Sequence, residues 1–311
     1  MAPGIGGSGI LGVALETVSG TYEAPTKFIP FESESLQYMS DNVMRRPIRQ
    51  SADIVGVIPG NTHVEGDIGF EALTDVVAIL LHGARHSVVK TGASAPFTYV
   101  FTPTASALPI QTLSLTVVRN GIVFGFVGMV VSSFTFTTEE GILKFNCSFQ
   151  GRDEAVQSAP TPTWPTTTPY GAGMYDIQIP TSTQVFDADT FEFSVEHNAE
   201  PQYRLKNTGR GAQFIKYGEN DTSLSVERDF ESRAEFDAYK AVTSQSVTIH
   251  AVKVANTEEM TILVPTVFRE SYEVAMPGQG DLVRASVSYK GTLDSTGKAY
   301  QITVITSEDI S

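Results

Sequence analysis

The sequence predicts a mainly β protein built as two tandem units, each with a single flanking helix. Three observations carry this: a composition rich in strand formers and turn residues, a proline-rich break near mid-chain, and a strand pattern that recurs on both sides of it. The 311 residues suit about two domains at roughly 150 residues each. Hydrophobic residues make up 41% and charged residues only 18%, with 26 glycines, a balance that favours strands joined by turns over helices.

Residues 1–26 read as a Gly-rich N-terminal docking arm, since such segments order only against another surface. The first unit spans 27–157 and opens with the alternating Lys27-Phe-Ile-Pro-Phe-Glu-Ser-Glu-Ser35. From Met39 to Gly60 runs a long loop whose Ile54, Val55, Val57 and Ile58 would be wasted in water, so it wants a partner surface. A strand from His63 gives way at Phe70-Glu71 to a helix over about 71–81, with Leu73, Val76, Val77 and Leu80 as its apolar stripe. Asn120-Gly121 suits a type I′ hairpin turn. Ser133 to Thr138 alternates polar and apolar, turns at Glu139-Glu-Gly141, and returns with Leu143, Phe145, Cys147 and Phe149 on one face.

Residues 158–173 contain too many prolines for a helix or central strand and read as an extended linker, with Trp164 pinning it to a surface groove. The second unit, 174–311, repeats the first. Thr190-Phe-Glu-Phe-Ser-Val-Glu196 opens it, Ser223 onward aligns with His63 onward so that Phe230-Glu231 matches Phe70-Glu71, and a helix follows over about 232–241 with Phe236 and Tyr239 on its stripe. The closing hairpin turns at Pro277-Gly-Gln-Gly280 and returns with Val283, Ala285, Val287 and Tyr289 inward.

Twenty-one basic against 35 acidic residues give a net charge of −14, which repels polyphosphate and argues against sequence-reading nucleic-acid binding. One cysteine permits no intramolecular disulfide, the longest apolar run, Val76 to Leu81, is too short to cross a bilayer, and Met1-Ala-Pro-Gly4 lacks a signal peptide's basic region. The expectation is a protein made in cytoplasm. Gly4-Ile-Gly6-Gly-Ser-Gly9 has dinucleotide-fingerprint spacing but neither the strand before it nor the helix after it. His82 and His86 are four apart, yet Gly83 breaks the helix between them, and no third ligand is suitably spaced. Glu139-Glu140 and Glu258-Glu259 are adjacent pairs that cannot face each other across a substrate. Cys147 sits between Phe145 and Phe149 as a small hydrophobe, and there is no GxSxG elbow. No catalytic residue, cofactor or metal is expected.

What remains is a small, hydroxylic strand face: Ser133, Thr135 and Thr137 with Lys144, Asn146 and Ser148 in the first unit, Ser271 and Glu273 with Arg284, Ser286 and Ser288 in the second. On an acidic protein such a face can lie beside DNA without grasping it, though on the strands alone an ordinary solvent face fits equally well.

Several segments occur in a telling order: the Gly-rich arm running into Gly12-Val-Ala-Leu-Glu-Thr-Val-Ser-Gly-Thr-Tyr-Glu-Ala-Pro-Thr26, Phe31-Glu-Ser-Glu-Ser35, the loop with Arg45-Arg46, the passage at Phe70-Glu71, and Val131-Ser-Ser-Phe-Thr-Phe136. Their order gives the chain a resemblance to the tail tube proteins, or major tail proteins, of long-tailed, siphovirus-type bacteriophages. It implies β-barrel or sandwich units flanked by one helix, subunits joined into rings as a continuous barrel, rings stacked into a virion tail, and DNA passing through the lumen. Implied partners are further copies of the chain, a tape measure protein, and terminator or distal tail proteins, with assembly in the host bacterial cytoplasm and no membrane. With two units per chain, three chains would close a pseudo-sixfold ring; a true hexamer is the alternative. Gly4, Ile5, Ile10, Leu11, Tyr22, Arg45, Arg46, Arg49, Ile54, Val57 and Ile58 are expected at contacts between rings or subunits, and the hydroxylic face in the lumen. An adhesive or carbohydrate-binding module would instead place aromatic side chains on an exposed groove, whereas Tyr and Phe here alternate toward the core. A distal tail or terminator protein would share the fold.

Overall fold

In the computed structural model, residues 6–48, 53–180, 183–185, 188–205, 209–230, 232–254, 256–276 and 278–310 are described. Strands account for 53% of the chain and helix for 6%, in keeping with the mainly β expectation.

The first unit runs β1 (Ile10–Leu15), β2 (Lys27–Phe28), β3 (Ser33–Glu34), β4 (Gln37–Ser40), β5 (Val43–Arg45), β6 (Gly56–Ile58), β7 (Thr62–Glu71), α1 (Thr74–His82), β8 (His86–Thr91), β9 (Phe97–Pro103), β10 (Leu113–Arg119), β11 (Ile122–Glu139), β12 (Ile142–Gly151) and β13 (Asp153–Ala155). The second runs β14 (Tyr175–Gln178), β15 (Ala188–Glu196), β16 (Glu200–Gln202), β17 (Phe214–Lys216), β18 (Asp221–Asp229), α2 (Ala234–Lys240), β19 (Gln245–Val254), β20 (Glu258–Ala275), β21 (Arg284–Gly291) and β22 (Gln301–Thr306).

Two of the three predicted hairpin turns form where the sequence places them, while Pro277 of the third lies outside the described residues. Asn120-Gly121 and Glu140-Gly141 both have positive φ, at 50° and 76° and at 51° and 77°, the left-handed pair that lets two twisted strands meet through two residues.

The strand ladders repeat. All are antiparallel, and the neighbours run β1, β10, β11, β12, β7, then β3 and β4 in the first unit. They run β14, β19, β20, β21, β18, β15 in the second. β11 and β20 are each 18 residues long, with a bulge between Val131 and Ser133 and between Arg269 and Ser271. The strand before each also breaks register, at Leu113/Leu115 and Gln245/Val247. An extra pair in the first unit, β8 with β9, extends the sheet onto β22.

These ladders amend the sequence reading. Within the segment 1–26, Ile10–Leu15 follows the repeat: β1 pairs with β10 as β14 pairs with β19, and Leu11 and Val13 are fully buried. Leu11 is thus a core residue of the protomer and cannot be a contact surface, because β1 is buried continuously from Leu11 to Ala14. β1 is followed by a turn organised on Glu16, whose buried carboxylate accepts hydrogen bonds from Gly20 N (2.6 Å), Gly128 N (2.7 Å), Thr112 Oγ1 (2.6 Å) and Ser114 Oγ (3.0 Å). The match of Phe230-Glu231 to Phe70-Glu71 is two residues out. Glu71 faces Lys144 and Asp229 faces Arg284 at corresponding points of the hairpins, so Phe70 corresponds to Arg228 and the shared dipeptide is coincidental. The helices are shorter than predicted, and α1 is buried on all sides from Thr74 to Leu81 instead of along one stripe, because it is covered by the sheet and by the chain around it. No residue of α2 is buried; it is tied down instead by Arg269 on β20, which donates to Glu235 at 2.6 and 2.8 Å.

Residues 158–173 carry no strand or helix and run back over the first unit: Trp164 packs edge-on to Phe28 at 6.2 Å, and the fully buried Tyr170 shares a 2.9 Å hydrogen bond with Thr74. The two units nonetheless share one sheet and one hydrophobic cluster. At their meeting point His86 is walled by Phe101, Phe134, His197 and Tyr300. Its Nδ1 donates to Leu81 O (3.1 Å) and its Nε2 accepts from the Tyr300 hydroxyl (2.7 Å). Burial drives its pKa down to about 3, and those of His82 and His197 to about 4.

Two predictions follow from these buried groups. Between about pH 6.5 and 4 the unfolded chain takes up protons on these histidines that the folded chain refuses, so stability must fall as pH falls, by up to about 1.4 kcal/mol per pH unit for each. Asp75, whose carboxyl is raised by burial, offsets part of this at the acid end. Urea midpoints taken from pH 7.5 to 4.5 should drop steadily, and a flat profile would contradict the burial. Glu16→Ala, which strands four donors around one site, should cost on the order of 3 kcal/mol in the same assay.

Candidate functional site

One strand pairing decides what the protein can present. The second half of β11 lies between β12 and β15, with Phe134 opposite Val195, Thr135 opposite Ser194 and Phe136 opposite Phe193. It joins the units into one wall of eight strand positions: β3–β4, β7, β12, β11, β15, β18, β21 and β20.

Alternation gives the wall two faces. Phe134, Phe136, Phe145, Phe193, Val226 and Val287 point into the core, with Phe136 and Phe145 ring centroids 4.7 Å apart. The opposite face carries all eleven residues predicted for it. Ser133 pairs with Ser148, Thr135 with Asn146 and Thr137 with Lys144. Ser271 pairs with Ser288 and Glu273 with Ser286, while Arg284 is opposite Ala275. The two predicted groups belong to one surface.

Sequence reasoning missed the strands between them. Glu192, Ser194 and Glu196 on β15, and Ser223, Ser225 and Glu227 on β18, continue the same rows. So do Asp67, Gly69 and Glu71 on β7. The signal was present in the alternation of Thr190 to Glu196 and Ser223 to Glu227, but only the pairing with β11 puts those residues on this face.

The face is hydroxylic with an acidic surplus. Its basic groups are held by carboxylates: Lys144 by Glu32, Lys290 by Asp221, and Arg284 by Asp189 and, at 3.5 Å, Glu227. Hydrogen bonds to Glu32 and Asp221 are the first cause raising the pKa of Lys144 and Lys290, which keeps these ammonium groups charged and neutralised in place. Asp67, Glu71, Glu192, Glu196 and Glu273 are further acidic groups on the same rows. No group of three or more His, Cys, Asp or Glu among the described residues could hold a metal ion.

A sequence profile described as phage tail tube protein matches residues 6–291. The chain belongs to this phage tail tube family. No curated protein matches it significantly. Membership makes it a structural component of the virion tail, of a kind that assembles with itself into a tube. Among the described residues no helix of this tail tube protein is long and apolar enough to cross a membrane.

The residues expected at contacts divide into three sets. Gly4, Ile5 and Arg49 lie outside the described residues. Ile10, Leu11 and Tyr22 belong to the protomer's own packing, with the Tyr22 hydroxyl 2.8 Å from Thr116 Oγ1. Arg45, Arg46, Ile54, Val57 and Ile58 are exposed on and around the small hairpin β5–β6, which has Met44 opposite Val57 and also exposes Val43. The tail tube protein therefore offers two solvent-facing features of an incomplete kind: this apolar hairpin, and the outer edges of β4 and of the last residues of β20, which pair with no strand on their far sides among the described residues.

The free edge has a mutational signature. Phe136→Ala, at the internal joint, should destabilise the unassembled protein by about 3–5 kcal/mol. Val274→Ala, at the corresponding position of β20, should stay within about 0.5 kcal/mol by urea denaturation of the same unassembled protein.

Proposed function

We propose that this chain is the major tail tube subunit of a siphovirus-type phage, that three chains close a pseudo-sixfold ring, and that stacked rings enclose a channel for DNA. The observation that supports this is the wall itself. Two units with the same strand order are joined edge to edge, and the wall ends in two open strand edges. Such edges invite pairing with another chain, and ring closure satisfies them without leaving a new edge.

The hydroxylic, acidic face is the one we assign to the lumen. Phosphate contacts that released counterions would hold DNA in place. A face whose cations are already neutralised offers none, so a duplex can pass without sequence-specific binding. The proposal leaves no role for a cofactor or enzymatic step. Any joining role of the N-terminal arm narrows to the residues before Ile10, because β1 belongs to the protomer's core. Tape measure, terminator and distal tail proteins are the further partners, and assembly takes place in the host bacterial cytoplasm.

Negative-stain electron microscopy of the purified protein, with mass determination on the same sample, tests this reading. The expected result is rings or tubes with a central hole, built from multiples of three chains. Rings of six chains would keep the tube and remove the pseudo-hexamer. A compact monomer that does not assemble even when concentrated would overturn the proposal.

A further inference from the structure

The chain contains one complete joint between units and two halves of another. We infer that successive copies are joined by a repeat of the internal joint. The end of β20 pairs antiparallel with β3–β4 of the next copy, placing Tyr272 opposite Tyr38 and Glu273 opposite Gln37, while the next copy's β5–β6 hairpin lies across the second unit. The inference rests on the self-association proposed above and gives it a register.

The register comes from matching ladders. Across the first unit Tyr38 faces Val64, which faces Gly151. Across the second, Val195 faces Thr222, whose side chain lies against Gly291. Gly151 and Gly291 are both the last residues of their strands, so Tyr38 corresponds to Val195. On the other partner, the bulges before Ser133 and Ser271 fix Phe134 as the counterpart of Tyr272. Within the chain Val195 lies opposite Phe134, so between chains Tyr38 lies opposite Tyr272. Gln37 and Glu273 then correspond to Ser194 and Thr135, the next pair along.

The hairpins match in the same way. Met44 opposite Val57 corresponds to Pro201 opposite Ile215, and each hairpin ends at a glycine, Gly60 or Gly218, where a Cβ would press on the backbone carbonyl oxygen of Asp41 or Asn198. The β16–β17 hairpin is already docked on the first unit. Ile215 packs with Val130, Ala199 and Tyr217, the Tyr203 hydroxyl is 3.1 Å from His63 Nδ1, and Tyr217 donates to Gly83 O at 2.9 Å.

Burial points the same way. Val195, Phe136 and Ile215 are 0%, 0% and 1% exposed, whereas their counterparts Tyr38, Val274 and Val57 are 39%, 37% and 53% exposed. The same apolar positions are covered where a neighbouring unit is present and open where the chain ends. A second copy, presenting the surface already used inside the chain, is the occupant that covers all three. One local adjustment accompanies joining. Leu36 N is bonded to Glu34 Oε1 (2.6 Å), and Arg119 donates to Leu36 O, so those side chains occupy the edge that Val274 would pair with. They must swing aside as the strands meet.

The test is a cysteine pair in the full chain. Cys147 is buried and does not compete. Gln37 and Glu273 are exposed, and directly opposed residues of an antiparallel pair have Cα atoms about 4.5–5.5 Å apart, within disulfide range. Assembled Q37C/E273C protein, mildly oxidised, should run as covalent multimers on a non-reducing gel. Q37C/S271C, displaced by two residues, should remain largely monomeric. An equimolar mixture of the Q37C and E273C single variants should give linked dimers only. If rings form but the displaced pair links better, or neither pair links, this register is overturned while the tube reading stands. If the parent chain does not assemble, both fall.

Discussion

A strand edge carries a row of backbone donors and acceptors that must be paired or guarded, and the pairing of β11 with β15 meets that requirement inside this chain. Much else depends on it. The pairing carries the polar rows from one unit into the next, it closes the core over Phe134, Phe136 and Phe193, and among the described residues it leaves one unmatched wall edge of each kind. Removing it would leave two small β units, each with an apolar strip along its side.

The two 18-residue strands are how a single layer serves two purposes. From Gly125 to Val131 every residue of β11 is buried, which suits a strand covered on both faces; beyond the bulge, burial alternates, which suits a wall with one wet face. The bulge re-aims the strand between these environments, and β20 carries its bulge at the matching point. The helices have diverged more freely. α1 is buried along its length, while α2 relies on the Arg269–Glu235 ion pair in a place where the first unit has Val131.

Much of this was legible in the sequence because it is local. The two-residue turns at Asn120-Gly121 and Glu140-Gly141 follow from left-handed backbone geometry, and the alternation of Ser133 to Thr138 follows from the pleat. The duplication was visible in the closing hairpins. What escaped depends on distant partners. Ile10 to Leu15 looks like part of a docking arm until β10 covers it, and nothing local marks Glu16 as the acceptor on which Thr112, Ser114 and Gly128 converge. The hydroxylic face was found on the hairpins but not on β15 and β18, because a period of two tells which residues share a face without telling which strands share a sheet. The Phe-Glu match misled for a related reason: identity of two letters outweighed a register that only the ladders reveal.

Tethering two units changes the kinetics of construction as well as the geometry. The segment 158–173 keeps β11 and β15 on one chain, so their joint closes in a unimolecular step at an effective concentration set by the tether and not by how much protein the cell has made. Every second seam in such a wall is therefore finished before two molecules meet. The Glu34 and Arg119 side chains sit on the edge that is left and hold the backbone groups of Leu36 there. In the ring proposed above, the open edge would then be the one kind of contact whose formation depends on concentration.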